Sequence, residues 1–422
     1  MSKSRKWIAA MITALIVGVP LAACSVPASD VPETGLTIMG KETDLRKSYM
    51  TSIFEQYESE TGNHLEIISV PDGEFEDAVA KRFEEGNMPD LLMHFNNAVL
   101  PQLGVSDHFY VLDSESWVDD LTESADAYCR DGEGNLIGLP FWECSVSGCY
   151  YNKTLLDSLG LKPASTQTEF DTLCQTLASI GYTPICWPAN GCDWMYQFAL
   201  DPVFADDPET LKRLNSGEIR YADIPAVRDM VQWVADSAER GMFGTDYLET
   251  GWDEMSPTLA SGKAVMIFIW DTWFQTDFET GGKYTKEDFA LMPVFMNTVD
   301  GGTYEGGNLN MMMVNKDSAM LSEALGFLDF CATPEHYNKA FDGIPTVSCF
   351  KGQTTNIQSD MVTNAMGSIQ AKERVSTAVS KVIGYSTDDM DAAFQKLFAH
   401  EVDVEGCIQL LDEARLARIG GK

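Results

Sequence analysis

The chain has 422 residues, with 64 Asp and Glu against 29 Lys and Arg, and its formal net charge is −35 at pH 7. A charge of this size and sign excludes nucleic acid and anionic lipid surfaces as partners, because both repel an acidic protein. Hydrophobic residues make up 45% of the chain. This content and the length of the chain are enough for two hydrophobic cores, because a single core stops growing near roughly 250–300 residues.

The start of the chain has the organisation of a secretory signal peptide. A basic segment (residues 3–6) precedes an apolar run (residues 7–21) that is shorter than the roughly 18 residues of a membrane span. The run ends in a Leu-Ala-Ala-Cys motif that resembles the lipobox of bacterial lipoproteins. This resemblance implies a signal peptide over 1–23, lipidation at Cys24 and a tether over 24–34. The protein would then be extracytoplasmic and held at the outer face of the cytoplasmic membrane by its lipid alone. Free secretion is the alternative.

The folded part begins with alternating strands and helices. Residues 35–40, 64–70 and 90–93 are short apolar runs typical of buried strands. Two β-α-β steps predict a parallel sheet covered by helices. Ligands of such sheets bind beyond the carboxyl ends of the strands. Glu42 and Asn96, which follow the first and third strands, are therefore candidate ligand-binding residues.

The intervening helices are predicted from apolar residues that recur at spacings of three and four. The first helix begins near Asp44 and ends at Gly62. Its apolar stripe consists of Leu45, Tyr49, Ile53, Phe54 and Tyr57, and the stripe of the next helix consists of Phe75, Val79 and Phe83.

The cysteines predict neither a metal site nor a complete set of disulfides. Nine cysteines follow Cys24, so at least one thiol is free unless it bridges to another chain. The pairs 144/149 and 186/192 lack the spacing of zinc ligands, and the histidines do not cluster near them. Buried free thiols are the preferred interpretation, with one or two local disulfides as the alternative.

Motifs of catalysis are also missing from the sequence. Gly262-Lys263 lacks the following Ser or Thr of a phosphate loop, and no Gly-x-Ser-x-Gly elbow occurs. We therefore expect no catalytic residue, no cofactor and no enzymatic activity.

The middle of the chain resembles the carbohydrate-type solute-binding proteins of bacterial ABC importers, the family that includes maltose-binding protein. The resemblance rests on the order of seven segments. They are Gly138-Leu139-Pro140, residues 148–153 (Gly-Cys-Tyr-Tyr-Asn-Lys), residues 161–166 (Leu-Lys-Pro-Ala-Ser-Thr), residues 259–266 (Leu-Ala-Ser-Gly-Lys-Ala-Val-Met), Met292-Pro293-Val294, Gly306-Gly307-Asn308 and Gly343-Ile344-Pro345.

This resemblance implies an α/β fold of the two-lobe periplasmic-binding-protein type. Each lobe would be a mostly parallel sheet covered by helices, with the ligand cleft between the lobes and a hinge of several strands. The N-terminal lobe would comprise 35–140 plus 294–346, and the C-terminal lobe 141–293 plus 347–422. The implied partners are a mono- or oligosaccharide and the permease subunits of an ABC importer, and the implied state is a monomer.

Aromatic and carboxylate residues are mixed in several predicted loops. A sugar site needs both kinds, because flat rings cover the apolar faces of a pyranose while carboxylates and amides bind its hydroxyl groups. The remaining candidate ligand-binding residues are Glu143, Trp187, Asp193, Trp194, Trp270, Asp271, Trp273 and Asn308. Trp252 shows the same pattern but is given less weight, because an isolated tryptophan usually packs in a core.

The family carries a stacking tryptophan at a position that is Thr272 in this chain. The resemblance therefore implies that Trp270 or Trp273 takes over the stacking role, and it leaves open which one. A secreted glycosidase is the principal alternative function, because aromatics and paired carboxylates also build glycosidase sites. A peptide receptor and an adhesin are further alternatives.

Overall fold

In the computed structural model, the described residues contain ten strands, which form two sheets of five. The structure describes residues 35–71, 74–96, 100, 105–131, 133–141, 146–191, 194–278, 281–296, 304–305, 310–344, 349–354 and 378–420. The strands are β1 (Leu36–Lys41), β2 (Leu65–Val70), β3 (Leu91–Phe95), β4 (Leu139–Pro140), β5 (Val146–Asn152), β6 (Thr183–Cys186), β7 (Ala264–Trp270), β8 (Phe289–Met292), β9 (Tyr304–Glu305) and β10 (Asn310–Val314).

Helices cover both sheets. In chain order they are α1 (Glu42–Leu45), α2 (Ser48–Thr61), α3 (Phe75–Glu85), α4 (Val105–His108), α5 (Glu123–Tyr128), α6 (Lys153–Leu159), α7 (Gln167–Ser179), α8 (Met195–Asp206), α9 (Pro208–Asn215), α10 (Pro225–Glu239), α11 (Trp252–Ser261), α12 (Asp271–Thr276), α13 (Leu321–Ala332), α14 (Pro334–Ala340), α15 (Thr387–Phe398) and α16 (Val404–Gly420). None of these helices combines the length and the apolar character that crossing a membrane requires.

The first sheet has the strand order β2-β1-β3-β10-β4. Strand β1 is parallel to both β2 and β3, which confirms the two β-α-β steps predicted from the sequence. Strand β10 is antiparallel to β3 and β4. Its residues Met311, Met312 and Met313 are fully buried, because methionine fills irregular gaps in a core.

The second sheet has the order β6-β7-β5-β8, and β9 pairs with β5. Only β6 and β7 are parallel, whereas β5 is antiparallel to β7, β8 and β9. The expectation of a mostly parallel sheet in each lobe is therefore wrong for this sheet. The expectation came with the family resemblance, whereas the direction of β5 is set by its pairing with strands more than one hundred residues further along the chain.

Each sheet has its own hydrophobic core. The first core contains β1 to β4 and β10 with residues up to Phe350, and the second contains β5 to β8 with residues up to Leu411. Val294–Met296 pack in the second core, while Cys349 and Phe350 pack in the first. The lobe boundaries given above, at 293/294 and 346/347, remain a prediction, because the described residues just beyond each boundary still pack in the preceding core.

Local sequence signals account well for several helix ends. The sequence predicts a single helix from Asp44, whereas the structure has a break between α1 and α2. Helix α2 buries Tyr49, Ile53 and Tyr57 as expected. It ends at Gly62, whose φ of 73° lies in the left-handed region. Asn152 caps α6, because its Oδ1 accepts a hydrogen bond of 2.8 Å from the backbone N–H of Leu155.

The seven described cysteines after Cys24 are all buried, and Cys129, Cys149, Cys174, Cys331 and Cys407 are free thiols, as the preferred interpretation predicted. Burial raises the pKa of the Cys149 and Cys331 thiols well above the ordinary value, so both stay neutral and behave as small apolar side chains. Cys144 and Cys192 lie outside the described residues.

Candidate functional site

The carboxyl end of β7 carries the first part of the site. Strand β7 lies inside the second sheet, and its residues are buried as far as Ile269, whereas the side chain of Trp270 is only partly buried. Trp270 keeps an extended backbone and directly precedes α12. Trp270 therefore stands at the carboxyl end of its strand, the end at which ligands of open α/β sheets bind.

Trp194 lies beside Trp270 and is held rigidly. Its indole Nε1 donates a hydrogen bond of 3.1 Å to the backbone carbonyl oxygen of Phe268, two residues before Trp270 in β7. Only 8% of Trp194 is exposed, and its ring centroid lies 6.1 Å from that of Trp270. The ring of Phe198 in α8 packs edge to face on Trp270 at 5.2 Å. Trp194 and Phe198 thus fix the orientation of Trp270.

A third tryptophan, Trp252, also packs on Trp194. The two ring centroids are 5.3 Å apart in an edge-to-face arrangement, and 43% of Trp252 is exposed. We call Trp194, Trp252 and Trp270 the tryptophan cluster. In this cluster the buried Trp194 contacts both the exposed Trp252 and the partly exposed Trp270.

The backbone around α11 explains why Trp252 reaches the cluster. The N–H of Asn190 donates 3.0 Å to the carbonyl oxygen of Thr250, which ties the loop before Trp194 to the segment before Trp252. The carboxylate of Glu254 accepts a 2.9 Å bond from the N–H of Gly251, and α11 begins at the next residue. Trp252 therefore occupies the first position of a helix with a capped end.

Asp271 is a buried carboxylate residue at the end of strand β7. It follows Trp270 in the chain, begins α12 and is only 4% exposed. Burial raises the pKa of the neighbouring Tyr150 hydroxyl well above its ordinary value, and the negative charge of Asp271 raises it further, against a backbone hydrogen bond from Asp271. Tyr150 is thus a neutral hydroxyl close to Asp271.

Besides Trp194, two other predicted tryptophans, Trp187 and Trp273, belong to the second core. Trp187 is 1% exposed and stacks on Phe243 with ring centroids 4.4 Å apart. Trp273 is 3% exposed and packs edge to face on Phe274 and Phe278 at 5.1 and 5.6 Å. Neither side chain offers a ring face to a ligand in this conformation.

The first sheet contributes Glu42 and Asn96. Glu42 begins α1 at the end of β1, is partly exposed and forms an ion pair with Arg46. Asn96 follows β3 and is 8% exposed. Its Nδ2 donates to the backbone oxygens of Tyr128 and Arg130, at 2.9 Å for the latter. The Nδ2 group of Asn96 is therefore engaged in hydrogen bonds within the protein. A role of Asn96 in ligand binding remains a prediction.

Four predicted residues lie outside the part of the chain that the structure describes. They are Cys24, Glu143, Asp193 and Asn308. Within the described part, no three His, Cys, Asp or Glu side chains come together in a group that could hold a metal ion.

The sequence profile of the bacterial extracellular solute-binding protein family matches residues 40–337, a span that includes the whole tryptophan cluster. The chain belongs to this family. The described fold agrees with that of the family's two-lobe sugar-binding members.

Relatives in this family are named for the sugars they bind. The chain is 25% identical over 345 residues to the multiple sugar-binding protein of Streptococcus mutans, covering 78% of each chain. It is 19% identical over 360 residues to the melibiose/raffinose/stachyose-binding protein of Bacillus subtilis, covering 83% of this chain and 81% of that one. A Bacillus licheniformis sugar transporter protein solved in complex with stachyose superposes with a TM-score of 0.69 at 18% identity, over 90% of this chain and 100% of that one. A structural likeness at this identity shows the fold alone.

Proposed function

We propose that this solute-binding protein captures a sugar or oligosaccharide by closing its two lobes and delivers it to the permease of an ABC importer. The observation that carries the proposal is the tryptophan cluster, in which the exposed Trp252 and the partly exposed Trp270 both contact Trp194, with Asp271 directly after Trp270 in the sequence. The names of the relatives support the same class of ligand.

The chemistry of the cluster suits a saccharide. The ring of Trp270 offers an apolar face for the C–H face of a pyranose. Asp271 offers carboxylate oxygens, which accept hydrogen bonds from hydroxyl groups. Because Trp194 and Phe198 already fix the Trp270 ring, little conformational freedom is lost on binding.

The alternative functions, a glycosidase, a peptide receptor and an adhesin, are less well supported. The relatives are named as binding proteins, not as glycosidases. A peptide site or an adhesive surface would not need three tryptophans packed together at a strand end. We therefore propose a receptor without catalytic activity. The proposal also includes contact with the permease and a monomeric state. It includes an N-terminal lobe of residues 35–140 plus 294–346 and a C-terminal lobe of residues 141–293 plus 347–422.

A melting screen tests the class of ligand. Galactose, melibiose, raffinose, stachyose and chito-oligosaccharides should be tested one at a time, because a true ligand at one hundred times its dissociation constant stabilises the fold by about 2.7 kcal/mol. We expect at least one sugar to raise the melting temperature of the wild type and to do so much less for Trp270→Ala. A tripeptide that raises the melting temperature while every sugar fails would favour the peptide receptor instead.

We further propose that Cys24 carries the lipid anchor. Cys24→Ala should move the protein from the membrane fraction to the soluble fraction, since the acyl chains supply the membrane affinity. Its affinity for sugar should equal that of the wild type, because residue 24 precedes the folded part. Retention of the variant in the membrane fraction would contradict a lipid anchor at this residue.

A further inference from the structure

A cavity of about 490 Å³ lies between helix α10 and the turn that joins α15 to α16. Its size falls within the range of roughly 300–1,000 Å³ that is usual for small-molecule sites. No residue of the tryptophan cluster is among the described residues that line it. A ligand in this cavity would therefore bind apart from the proposed sugar site.

Apolar side chains form part of the cavity wall. Leu397 and Phe398, at the end of α15, are only 6% and 7% exposed, and Val402 follows them in the turn. The ring of Tyr247 packs edge to face on Phe398, with ring centroids 5.2 Å apart. The cavity thus offers a ligand aliphatic surface together with an aromatic ring that carries a hydroxyl group.

The charged residues of the cavity are mainly acidic. Asp236 and Glu239 lie one helical turn apart in α10, and Glu401 and Asp403 lie in the turn beyond α15. The basic residue among the described residues that line the cavity is His400, and none of them is Lys or Arg. The cavity therefore favours a positively charged ligand.

Two of these carboxylates are available for a ligand. Asp236 lies 3.8 Å from Arg240 in an ion pair, and Asp403 caps the start of α16. Glu239 and Glu401 are exposed, and within the part of the chain that the structure describes their carboxylates form no ion pair or hydrogen bond. One of them stands on α10 and the other on the turn, so a bound cation would find a free carboxylate on each of the two segments.

The arrangement suits an extended organic cation better than a metal ion. Among the described residues, no three acidic, His or Cys side chains come together closely enough to hold a metal. An aliphatic chain with an ammonium group at each end can reach separated carboxylates, because each ammonium donates hydrogen bonds while the methylene groups cover apolar surface. A cation near the ring of Tyr247 also gains a cation–π attraction.

We propose that this cavity binds a linear aliphatic polyamine, with ammonium groups at Glu239 and Glu401 and the methylene chain against Leu397 and Phe398. The proposal goes beyond the sugar-binding function and does not depend on it. The net charge of −35 attracts cations to the whole surface. A test must therefore separate binding in the cavity from this general attraction.

Calorimetric titration with spermidine at an ionic strength of about 0.15 M provides the test, because charges more than about 8 Å apart are largely screened from each other there. We expect saturable binding of one spermidine per protein. The double variant Glu239→Gln/Glu401→Gln should bind spermidine about tenfold more weakly, because it removes both charge-assisted contacts. Tyr247→Leu should bind it about threefold more weakly, because the cation–π contact is lost.

Two controls separate the cavity from the general field. Glu249→Gln removes an exposed carboxylate that is close in sequence to Tyr247 but does not line the cavity, and it should bind spermidine within about twofold of the wild type. Magnesium, a divalent cation without a methylene chain, should displace spermidine only weakly. The double variant changes only exposed side chains, so its melting temperature should equal that of the wild type.

The possible results decide the proposal and leave the sugar function to its own tests. Weak spermidine binding by the double variant, with normal binding by Glu249→Gln, would support the site. The absence of saturable binding, an equal loss in Glu249→Gln, an unchanged affinity of the double variant, or full displacement by an equal concentration of magnesium would each overturn it. The double variant should bind sugar like the wild type, so failure of either ligand to bind would not be mistaken for failure of the other.

Discussion

Replacement of Trp270 by alanine should weaken the binding of sugar by about thirtyfold or more, the largest loss of affinity that we expect from any single substitution. Truncation of a buried aromatic anchor commonly costs 2 kcal/mol or more. Trp270 is held between Trp194 and Phe198 at the end of the central strand β7, so its loss removes a stacking face that no neighbour can replace. Calorimetric titration with the sugar found in the melting screen measures the effect.

Trp273→Ala is the matched control, three residues further along the chain. Its ring packs among Phe274 and Phe278 in the second core, so the substitution should lower the melting temperature and leave the affinity of the folded protein near that of the wild type. The reverse outcome, with normal binding by Trp270→Ala and a large loss in Trp273→Ala, would assign the stacking role to Trp273. Normal affinity in both variants would remove this loop from the site.

Trp187→Ala should destabilise the protein by about 3–5 kcal/mol, the cost of deleting a large aromatic side chain from a packed core. The ring of Trp187 is stacked on Phe243 and also contacts Tyr196 and Trp233. Among the described residues its indole N–H has no hydrogen-bond partner, so the loss arises from packing alone. The midpoint of urea-induced unfolding measures it.

The conservative variant Trp187→Phe should lose much less, because it keeps a ring against Phe243. We expect both variants to bind sugar normally wherever they are folded. A Trp187→Ala variant with an unchanged unfolding midpoint and a weakened affinity would return Trp187 to the ligand site, where the sequence had placed it.

Local patterns predicted the beginning of the fold well. The apolar spacing of Tyr49, Ile53 and Tyr57 reports directly which side of a helix is buried, and Gly62 marks its end. These features depend on residues only a few positions apart, so the sequence contains them. The pairing of β5 with β7 and β8 depends on segments more than one hundred residues apart, and no local pattern specifies its direction.

The same difference explains the outcome for the site. Trp187, Trp194, Trp270 and Trp273 all occur in loops or at strand ends with polar neighbours, and the sequence could not separate those in the core from those at its edge. The burial of Trp187, for example, is decided by its stacking on Phe243, which is more than fifty residues away in the chain. Trp252 received less weight than these four tryptophans, yet it is the most exposed tryptophan of the described residues. The Gly251 to Glu254 spacing predicts a helix beginning at residue 252, but it does not predict the exposure of the ring.

The most direct test of the central claim combines binding with recovery of the ligand. The wild type is titrated with the best sugar of the melting screen, and the sugar is then released by denaturing the protein and analysed by chromatography. We predict saturable binding of one sugar molecule per protein, lost in Trp270→Ala, and recovery of the sugar with its length and linkages unchanged. Shortened products that accumulate with time would contradict the account and identify a glycosidase, and the absence of saturable binding of any sugar would contradict the receptor function.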